Sequence, residues 1–345
     1  MSDWAAIAAS GELTPEQLRA VAAWLLDTSV PADAKASFLG AFNRRGETPG
    51  EITALAEEFL RHAVPFEVPA GLRPVIDVCG TGGDKLGLFN VSTAVMFVAA
   101  GAGARLVKHG NRGITSKSGG ADVLEALGIP MDMDPSRSQN MLGEAGAAFL
   151  FAPRFHPAFA AVAPARKLLA ERGQLSVFNM LGPLLNPARP EGQLAGVFSE
   201  ALVPLYAGVL PRLGRIRALI VHGQAGNAGG MDEISTLGPT TVARLGPNGT
   251  EVVTMTPADL GVPLALLDDL RGGDAAYNAG LIDELLRGSR RGAMRDIVLV
   301  NAAAAITVAG LTDDWAEACE RAEASFDSGA ARTVLQRMQR VAGKS

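Results

Sequence analysis

Residues 74–84 read PVIDVCGTGGD, a short apolar run followed at once by three glycines within four positions. The apolar run is typical of a buried strand, and the glycines are typical of a tight turn at its carboxyl end. Asn90-Val91-Ser92-Thr93 then opens a long apolar segment of helical length. The order of strand, glycine turn and helix predicts the first unit of an α/β fold.

The same alternation continues along the chain. Short apolar runs and amphipathic segments follow one another, which predicts a mostly parallel central sheet flanked by helices. The predicted strands are 105–108, 147–151, 193–198 and 217–222, with helices at 92–103 and 121–127, a hairpin at 241–255 and further helices over 296–342.

The first 64 residues show only helical patterns. Thr14-Pro15-Glu16-Gln17 and Thr48-Pro49-Gly50-Glu51 each place a threonine cap, a proline and a Glu or Gln where a capping box needs them. Three prolines within 65–74 then indicate a linker. We therefore predict an α/β protein with a small all-helical domain and a large α/β domain. The expected boundaries are 1–66, with an inserted helical segment at about 159–188, for the helical domain, and 74–158 with 189–345 for the α/β domain.

Composition narrows the classes of protein. The 345 residues are 48% hydrophobic, 19% charged and 5% aromatic, with a net charge of −5. This composition excludes a disordered chain, and a general nucleic-acid surface would need a basic excess. Two cysteines exclude a disulfide framework or a cysteine zinc site. No basic leader and no apolar run of about 18 residues is visible. We expect a cytoplasmic protein that binds neither nucleic acid nor a membrane.

Two segments have the chemistry to bind phosphate. Residues 80–84 and 90–93 offer backbone N–H groups at a glycine turn and a helix N-terminus, although an ordinary turn with an N-cap is the alternative. Residues 108–120 combine basic side chains, hydroxyls and glycines at a strand end, which suits a polyanion better than a solvated basic loop.

Two further features are ambiguous from sequence alone. Asp232 and Glu233 are paired carboxylates that suit Mg²⁺ bound together with substrate phosphates, but surface acidic pairs are common. Arg166 lies in the helical insertion, where it either binds a carboxylate through its planar fork or lies at the surface. His156, before Pro157, is interpreted as structural.

Seven segments together resemble the anthranilate phosphoribosyltransferases, over about residues 10–340. They are GTGGD, FNVSTA, KHGNRGITSKSGGADVLEALG, FAPRFHPAF, VFNMLGPLLNPARP, MDEIS and RDIVLVNAAAA, in this order. The resemblance implies transfer of the phosphoribosyl group of phosphoribosyl pyrophosphate (PRPP) to the amino group of anthranilate. Pyrophosphate is released, Mg²⁺ is required, and the reaction is the second step of tryptophan biosynthesis from chorismate. It also implies a homodimer joined through the helical domain.

The resemblance implies roles for individual residues. Lys108, Asn111 and Arg166 would act in catalysis, and Mg²⁺ would be bound by Ser92, Asp232 and Glu233. Anthranilate would be held by Gly80, His109, Asn111, Arg166, Gly182 and Pro183. PRPP would be held by Gly80, Thr81, Gly82, Gly83, Asp84, Asn90, Val91, Ser92, Thr93, Lys108, His109, Gly110, Asn111, Arg112, Gly113, Ile114, Thr115, Ser116 and Gly120.

Four departures from the family pattern concern the substrates. Leu88 stands where members often carry a threonine, and Gly120 where serine is common. The stretch from Arg166 to Asn179 is longer than usual, and Leu175-Ser176 replaces a common Arg-Thr pair. The alternatives are a PRPP transferase with another acceptor, an enzyme like the pyrimidine nucleoside phosphorylases, and a non-catalytic relative that binds nucleic acid.

Overall fold

The computed structural model describes residues 3–113, 117–247 and 249–343. It begins with four helices, α1 (Trp4–Ser10), α2 (Pro15–Leu26), α3 (Ala32–Arg45) and α4 (Pro49–Arg61). Both predicted capping boxes form, at the starts of α2 and α4. In the second box the Glu51 carboxylate is buried, accepts a hydrogen bond from the Leu13 N–H at 2.8 Å and lies 2.6 Å from Arg45 Nη2. Glu51 therefore ties the start of α4 to the loop before α2.

The rest of the chain alternates strands and helices before ending in a helical segment. Short 3₁₀ turns lie at Ala70–Leu72, Pro157–Ala161, Gly182–Leu184, Pro211–Leu213, Gly226–Ala228 and Leu267–Leu270. The main elements are β1 (Ile76–Gly80), α5 (Val91–Gly101), β2 (Leu106–Gly110), α6 (Gly120–Ala126), α7 (Pro135–Ala145), β3 (Ala147–Phe151), α8 (Ala152–Phe155), α9 (Ala163–Glu171), α10 (Phe178–Leu181), β4 (Gly192–Gly196), α11 (Leu202–Val209), β5 (Arg217–Gln224), β6 (Gly230–Met231), β7 (Thr240–Gly246), β8 (Gly249–Met255), α12 (Ala275–Leu286), α13 (Ala293–Val308), α14 (Trp315–Asp327) and α15 (Ala330–Gly343).

The sheet order is β3-β2-β1-β4-β5-β7-β8, with β6 paired beside β5. Strands β3, β2, β1, β4 and β5 are parallel, and the hairpin β7–β8 adds antiparallel strands at one edge. The predicted fold class is confirmed. The strand order changes direction between β1 and β4, whose last residues Gly80 and Gly196 are register partners. Ligands of open parallel sheets bind outside the carboxyl ends of strands at such a switch point.

Two large cores cover the two faces of the sheet. One packs α5 and α12–α15 on the sheet through residues such as Val95 and Ala303. The other joins the N-terminal helices to the 159–188 segment and the opposite sheet face, through Leu55, Leu169 and Tyr206 among others. The helical insertion therefore packs with the N-terminal helices, while the domain boundaries themselves stay a prediction.

The sequence reading missed α7, α11, α12 and the short strand β6. In α7 only Ser138, Met141, Leu142 and Ala145 are buried, so its apolar pattern is weak. The start of β1 was placed too early, because Pro74 lacks the N–H that a paired strand donates. In the described ranges, no helix is both long and apolar enough to cross a membrane.

Candidate active site

The glycine turn after β1 is tied to the end of β4. The Thr81 N–H donates to the Gly196 carbonyl at 3.0 Å, and the Thr81 hydroxyl accepts from the Phe198 N–H at 2.9 Å. Gly82 and Gly83 have positive φ angles of 67° and 90°, which glycine adopts without strain. Thr81 therefore connects the glycine turn to the end of β4 through both its backbone and its side chain.

Asp232 enters the space between the two strand ends. A Cβ on Gly80 would lie 2.1 Å from Asp232 Oδ2, and a Cβ on Gly196 would lie 1.6 Å from the Asp232 carbonyl oxygen. Only glycine fits at position 196, and a larger residue at position 80 would displace the Asp232 carboxylate. Asp232 Oδ2 also accepts a hydrogen bond from the Gly82 N–H at 2.7 Å. The glycine turn and the acidic pair, which the sequence suggested separately, are therefore parts of one site.

Three carboxylates are crowded together at this point. Burial, followed by repulsion from Asp232, raises the pKa of Asp84 to about 6. Burial and then Asp232 also raise the pKa of Glu233 well above its usual range, although Lys108 opposes the shift. Carboxylates that raise one another's pKa form a site that favours a bound cation.

The carboxylates of this site are suited to supply part of the coordination of Mg²⁺. Among the described residues, no three His, Cys, Asp or Glu side chains are arranged to hold a metal ion by themselves. Mg²⁺ is commonly held by one or two carboxylates, with waters and substrate phosphates completing its octahedron. Asp232 and Glu233 match this arrangement, and a hydrogen bond from the Ser92 backbone N–H to Glu233 opposes the rise in the pKa of that carboxyl.

Lys108 lies between the strand ends and the N-terminus of α5. The side chain is 5% exposed, and its Nζ donates to the Val78 carbonyl and, at 3.2 Å, to Ser92 Oγ. Its position is fixed by these contacts, so the charge cannot move freely into solvent. Lys108 therefore supplies a fixed positive charge beside the acidic cluster and the helix N-terminus.

The basic loop after β2 is organised by Asp122. Its Oδ2 accepts from the Gly113 N–H at 2.9 Å and the Gly119 N–H at 2.8 Å. Arg112 pairs with Asp122 at 2.9 Å and Glu125 at 2.5 Å, and its contact with PRPP stays a prediction. Asn111 is exposed, and its Oδ1 accepts from the Arg112 N–H at 2.7 Å. Ile114, Thr115 and Ser116 lie outside the described residues.

An asparagine that sequence reasoning missed joins the two segments that are predicted to bind phosphate. Asn278, 1% exposed on α12, donates from Nδ2 to Asn90 Oδ1 at 2.8 Å and to Ser118 Oγ at 2.9 Å. Asn90 begins α5, while Ser118 belongs to the loop after β2. Asn278 is one of several polar residues of α12, and nothing in the sequence marks it for this role.

The residues at which this chain departs from the family pattern lie in different environments. Leu88 packs against a hydrophobic core, and a Cβ on Gly120 would lie 3.3 Å from Thr93 Oγ1. That hydroxyl oxygen is buried and has no hydrogen-bond partner among the described residues. In the longer stretch Leu175 is 49% exposed, whereas Ser176 is buried.

Histidine and phenylalanine rings line the other side of the site. The His109 and His156 ring centroids are 5.3 Å apart, and His156 stacks on Phe159 at 5.1 Å. Burial, followed by the neighbouring His156, lowers the pKa of His109 to about 3, so its ring is neutral near pH 7. His156 Nε2 lies 2.8 Å from the Leu185 carbonyl, which agrees with a structural role.

Arg166 lies at the end of this row of rings. Phe159 contacts Phe178 at 5.5 Å between centroids, and the Arg166 guanidinium lies 5.4 Å from the Phe178 ring. The side chain is half-buried, and burial lowers its pKa. Within the described part of the chain, no carboxylate pairs with it. A guanidinium that has lost water but has no anionic partner is suited to bind a carboxylate ligand.

Family comparisons give the class of protein that this fold and site define. The model for the glycosyl transferase family, a/b domain, matches residues 72–332, and the model for the helical bundle domain of a glycosyl transferase family matches residues 5–63. The chain thus has the two parts of a glycosyl transferase with a helical bundle before its α/β domain.

Individual relatives narrow the class. The anthranilate phosphoribosyltransferase of Rubrobacter xylanophilus is 44% identical, covering 97% of this chain and 95% of that protein. The enzyme from Thermus thermophilus aligns with a TM-score of 0.90 and 38% identity over 99% of both chains. The chain belongs to the anthranilate phosphoribosyltransferase family. The resemblance seen in the sequence and the activity that it implied are confirmed.

Two yeast structures of this family carry ligands. The Saccharomyces cerevisiae enzyme in complex with PRPP and Mg aligns with a TM-score of 0.84 and 29% identity, covering 96% of this chain and 93% of that one. The same enzyme in complex with 4-fluoroanthranilate aligns with a TM-score of 0.82 and 28% identity, covering 96% and 92% of the two chains.

The pKa of Asp84 predicts a pH-dependent stability of the metal-free protein. Because folding raises this pKa to about 6, ionised Asp84 destabilises the fold above that pH, and protonation removes the penalty as the pH falls. The test compares the melting temperatures of the wild type and of Asp84→Asn in the presence of a chelator. The wild-type value minus the Asp84→Asn value should increase as the pH falls from about 7.5 to about 5. Differential scanning fluorimetry measures both melting temperatures.

A matched control is Asp132→Asn, which changes an exposed carboxylate outside the cluster. It should keep the wild-type response. If Asp84→Asn and wild type respond equally to pH, Asp84 does not carry the penalty.

Proposed function

We propose that this chain transfers the phosphoribosyl group of PRPP to the amine of anthranilate, with the acidic cluster and Arg166 binding the two substrates. One observation carries the proposal. A glycine-lined acidic site at the switch point is joined, through neighbouring Lys108 and His109 and a row of rings, to an arginine without a carboxylate partner among the described residues. A polyphosphate with its metal suits the first end, and an aromatic carboxylate suits the second.

On the PRPP side, the protein must stabilise the charge that builds up on departing pyrophosphate. Asp232, Glu233 and Ser92 would hold Mg²⁺, which supplies Lewis-acid stabilisation of that charge. Lys108 adds a fixed positive charge, and the N-terminus of α5 adds the partial positive charge of the helix dipole. The Gly82 N–H already donates to Asp232, so it acts by placing the carboxylate.

On the acceptor side, the protein must align a weak nucleophile. The Arg166 guanidinium would bind the anthranilate carboxylate, and Asn111, Gly182 and Pro183 would line the path toward the ribose. His109 is neutral near pH 7, so it does not add a positive charge next to the ring. The aromatic amine is itself neutral at this pH, which removes the need for a strong general base.

We also propose a homodimer that forms through the helical domain, in the cytoplasm. The support for the dimer is a shallow surface groove between α1 and α3, which is lined mainly by small residues: Ala5, Ala9, Ala36, Ser37, Gly40 and Ala41. Small side chains allow two helix pairs to approach closely, and a second copy presents the same surface.

Substitution of Arg166 tests the acceptor assignment. A bidentate arginine–carboxylate contact in a partly closed site is worth about 2–3 kcal/mol. Arg166→Ala should therefore raise the KM for anthranilate by roughly 30–150-fold and leave the KM for PRPP near wild type. Lys167→Ala, an exposed neighbour on the same helix, is the control and should change neither constant.

A joint rise of both constants in Arg166→Ala would show that the residue supports the structure rather than the acceptor. Two unchanged constants would place it outside the site.

Substitution of the acidic pair tests the metal assignment. Asp232→Asn/Glu233→Gln keeps the side-chain size but removes both negative charges. Turnover at fixed Mg²⁺ should fall on the order of 100-fold, because about 2.7 kcal/mol of leaving-group stabilisation is lost. Asp268→Asn/Asp269→Asn removes a consecutive exposed pair and serves as the control. Unchanged turnover and Mg²⁺ dependence in the first variant would refute the assignment.

Light scattering tests the dimer. The wild type at micromolar concentration should have twice the mass of the chain. Ala9→Arg introduces a large charged side chain at an exposed position in the groove, so it should give monomer. Ala170→Arg, exposed on α9, should leave the mass unchanged. A monomeric wild type would contradict the proposal.

A further inference from the structure

A network of polar side chains is buried in the sheet beneath the loop of residues 182–188. Asp77, Asn186 and Gln193 are fully buried, Arg215 is 3% exposed and Cys79 is 7% exposed. The proposed mechanism uses none of them. They come from β1, from β4, from the segment before β5 and from the loop itself.

Gln193 connects the network to the loop. Its Nε2 donates to the Pro183 carbonyl at 2.6 Å and contacts Cys79 Sγ at 3.3 Å, while its Oε1 accepts from Arg215 Nε at 3.0 Å. Both the amide nitrogen and the amide oxygen of Gln193 are thus hydrogen-bonded. Since Gln193 projects from a central strand, the Pro183 carbonyl is fixed to the most rigid part of the fold.

Asn186 makes the second connection. Its Nδ2 donates to Asp77 Oδ2 at 2.9 Å and to the Val107 carbonyl at 2.6 Å, and its Oδ1 accepts from the Ala188 N–H at 2.9 Å. Asp77 Oδ1 accepts from the His109 N–H at 3.3 Å. The network therefore fixes both the loop and the backbone of His109.

Stability alone does not account for these side chains. Buried charges lose hydration, and apolar residues of similar size often stabilise a fold equally well. Burial raises the pKa of Asp77 and lowers that of Arg215 to about 10, as expected for charges held away from water. What the network provides is geometry, because its hydrogen bonds end on Pro183 and His109, at the proposed acceptor site.

We propose that Gln193 is a positioning residue for the acceptor, fixing Pro183 opposite His109, with Asp77 and Asn186 fixing the other end of the same loop. This inference rests on the proposed function, since it assigns the loop to anthranilate binding. A shift of the Pro183 carbonyl widens the acceptor site without touching the groups that hold PRPP. The residue therefore controls the fit of the aromatic ring rather than the binding of the diphosphate.

Gln193→Glu is the most direct test. The glutamate keeps an oxygen for Arg215 Nε, but it has no N–H to donate to the Pro183 carbonyl. We expect the KM for anthranilate to rise on the order of tenfold, with the KM for PRPP within about twofold of wild type. The variant should also discriminate less between anthranilate and ring-substituted anthranilates. Gln193→Met, which has similar size and buries no charge, should shift the same constant if the glutamate variant does not fold.

Ser325→Ala is the matched control. Ser325 Oγ donates to the Val98 carbonyl at 2.7 Å within the other core, so this variant loses a comparable buried bond. Its melting temperature should fall while both constants stay at wild-type values. Equal changes in the two constants of the Gln193 variants, or no change, would overturn the positioning role. A wild type that binds PRPP but consumes no anthranilate would instead overturn the proposed function, and the inference with it.

Discussion

The site depends on how closely Asp232 approaches the ends of β1 and β4. Its backbone occupies the volume in which a side chain at position 196 would lie, and a side chain at position 80 would displace its carboxylate. This close packing places a cluster of carboxylates at the topological switch point of the sheet, where a ligand can reach it. In the proposed function, a bound cation relieves the repulsion among these carboxylates.

The two proposed substrate sites have different environments. The proposed PRPP side is acidic and glycine-lined, with Lys108 as its fixed positive charge. The proposed acceptor side is a row of rings that ends at a half-buried arginine. Adjacent residues of β2, Lys108 and His109, belong one to each side. In this proposal a single strand sets the spacing between the PRPP side and the acceptor side, and the transfer depends on that alignment.

Short sequence patterns predict much of the fold and of the candidate site. A glycine turn after an apolar run, consecutive carboxylates and threonine-proline helix starts each leave a signal within a few residues. The contacts that join these patterns leave none, because Gly82 and Asp232 are 150 residues apart in the sequence. Asn278 and Gln193 belong to no recognisable motif, so only the fold shows which groups they contact. The sequence likewise does not show that Arg112 pairs with Asp122 and Glu125.

The most direct test of the central claim is the fluorescence of anthranilate mixed with the wild-type protein, PRPP and Mg²⁺. Transfer to the amine should remove this fluorescence, with one pyrophosphate released for each anthranilate consumed and no loss when PRPP is omitted. If PRPP and Mg²⁺ raise the melting temperature but the fluorescence stays constant, the acceptor is another molecule and the account of Arg166 is wrong.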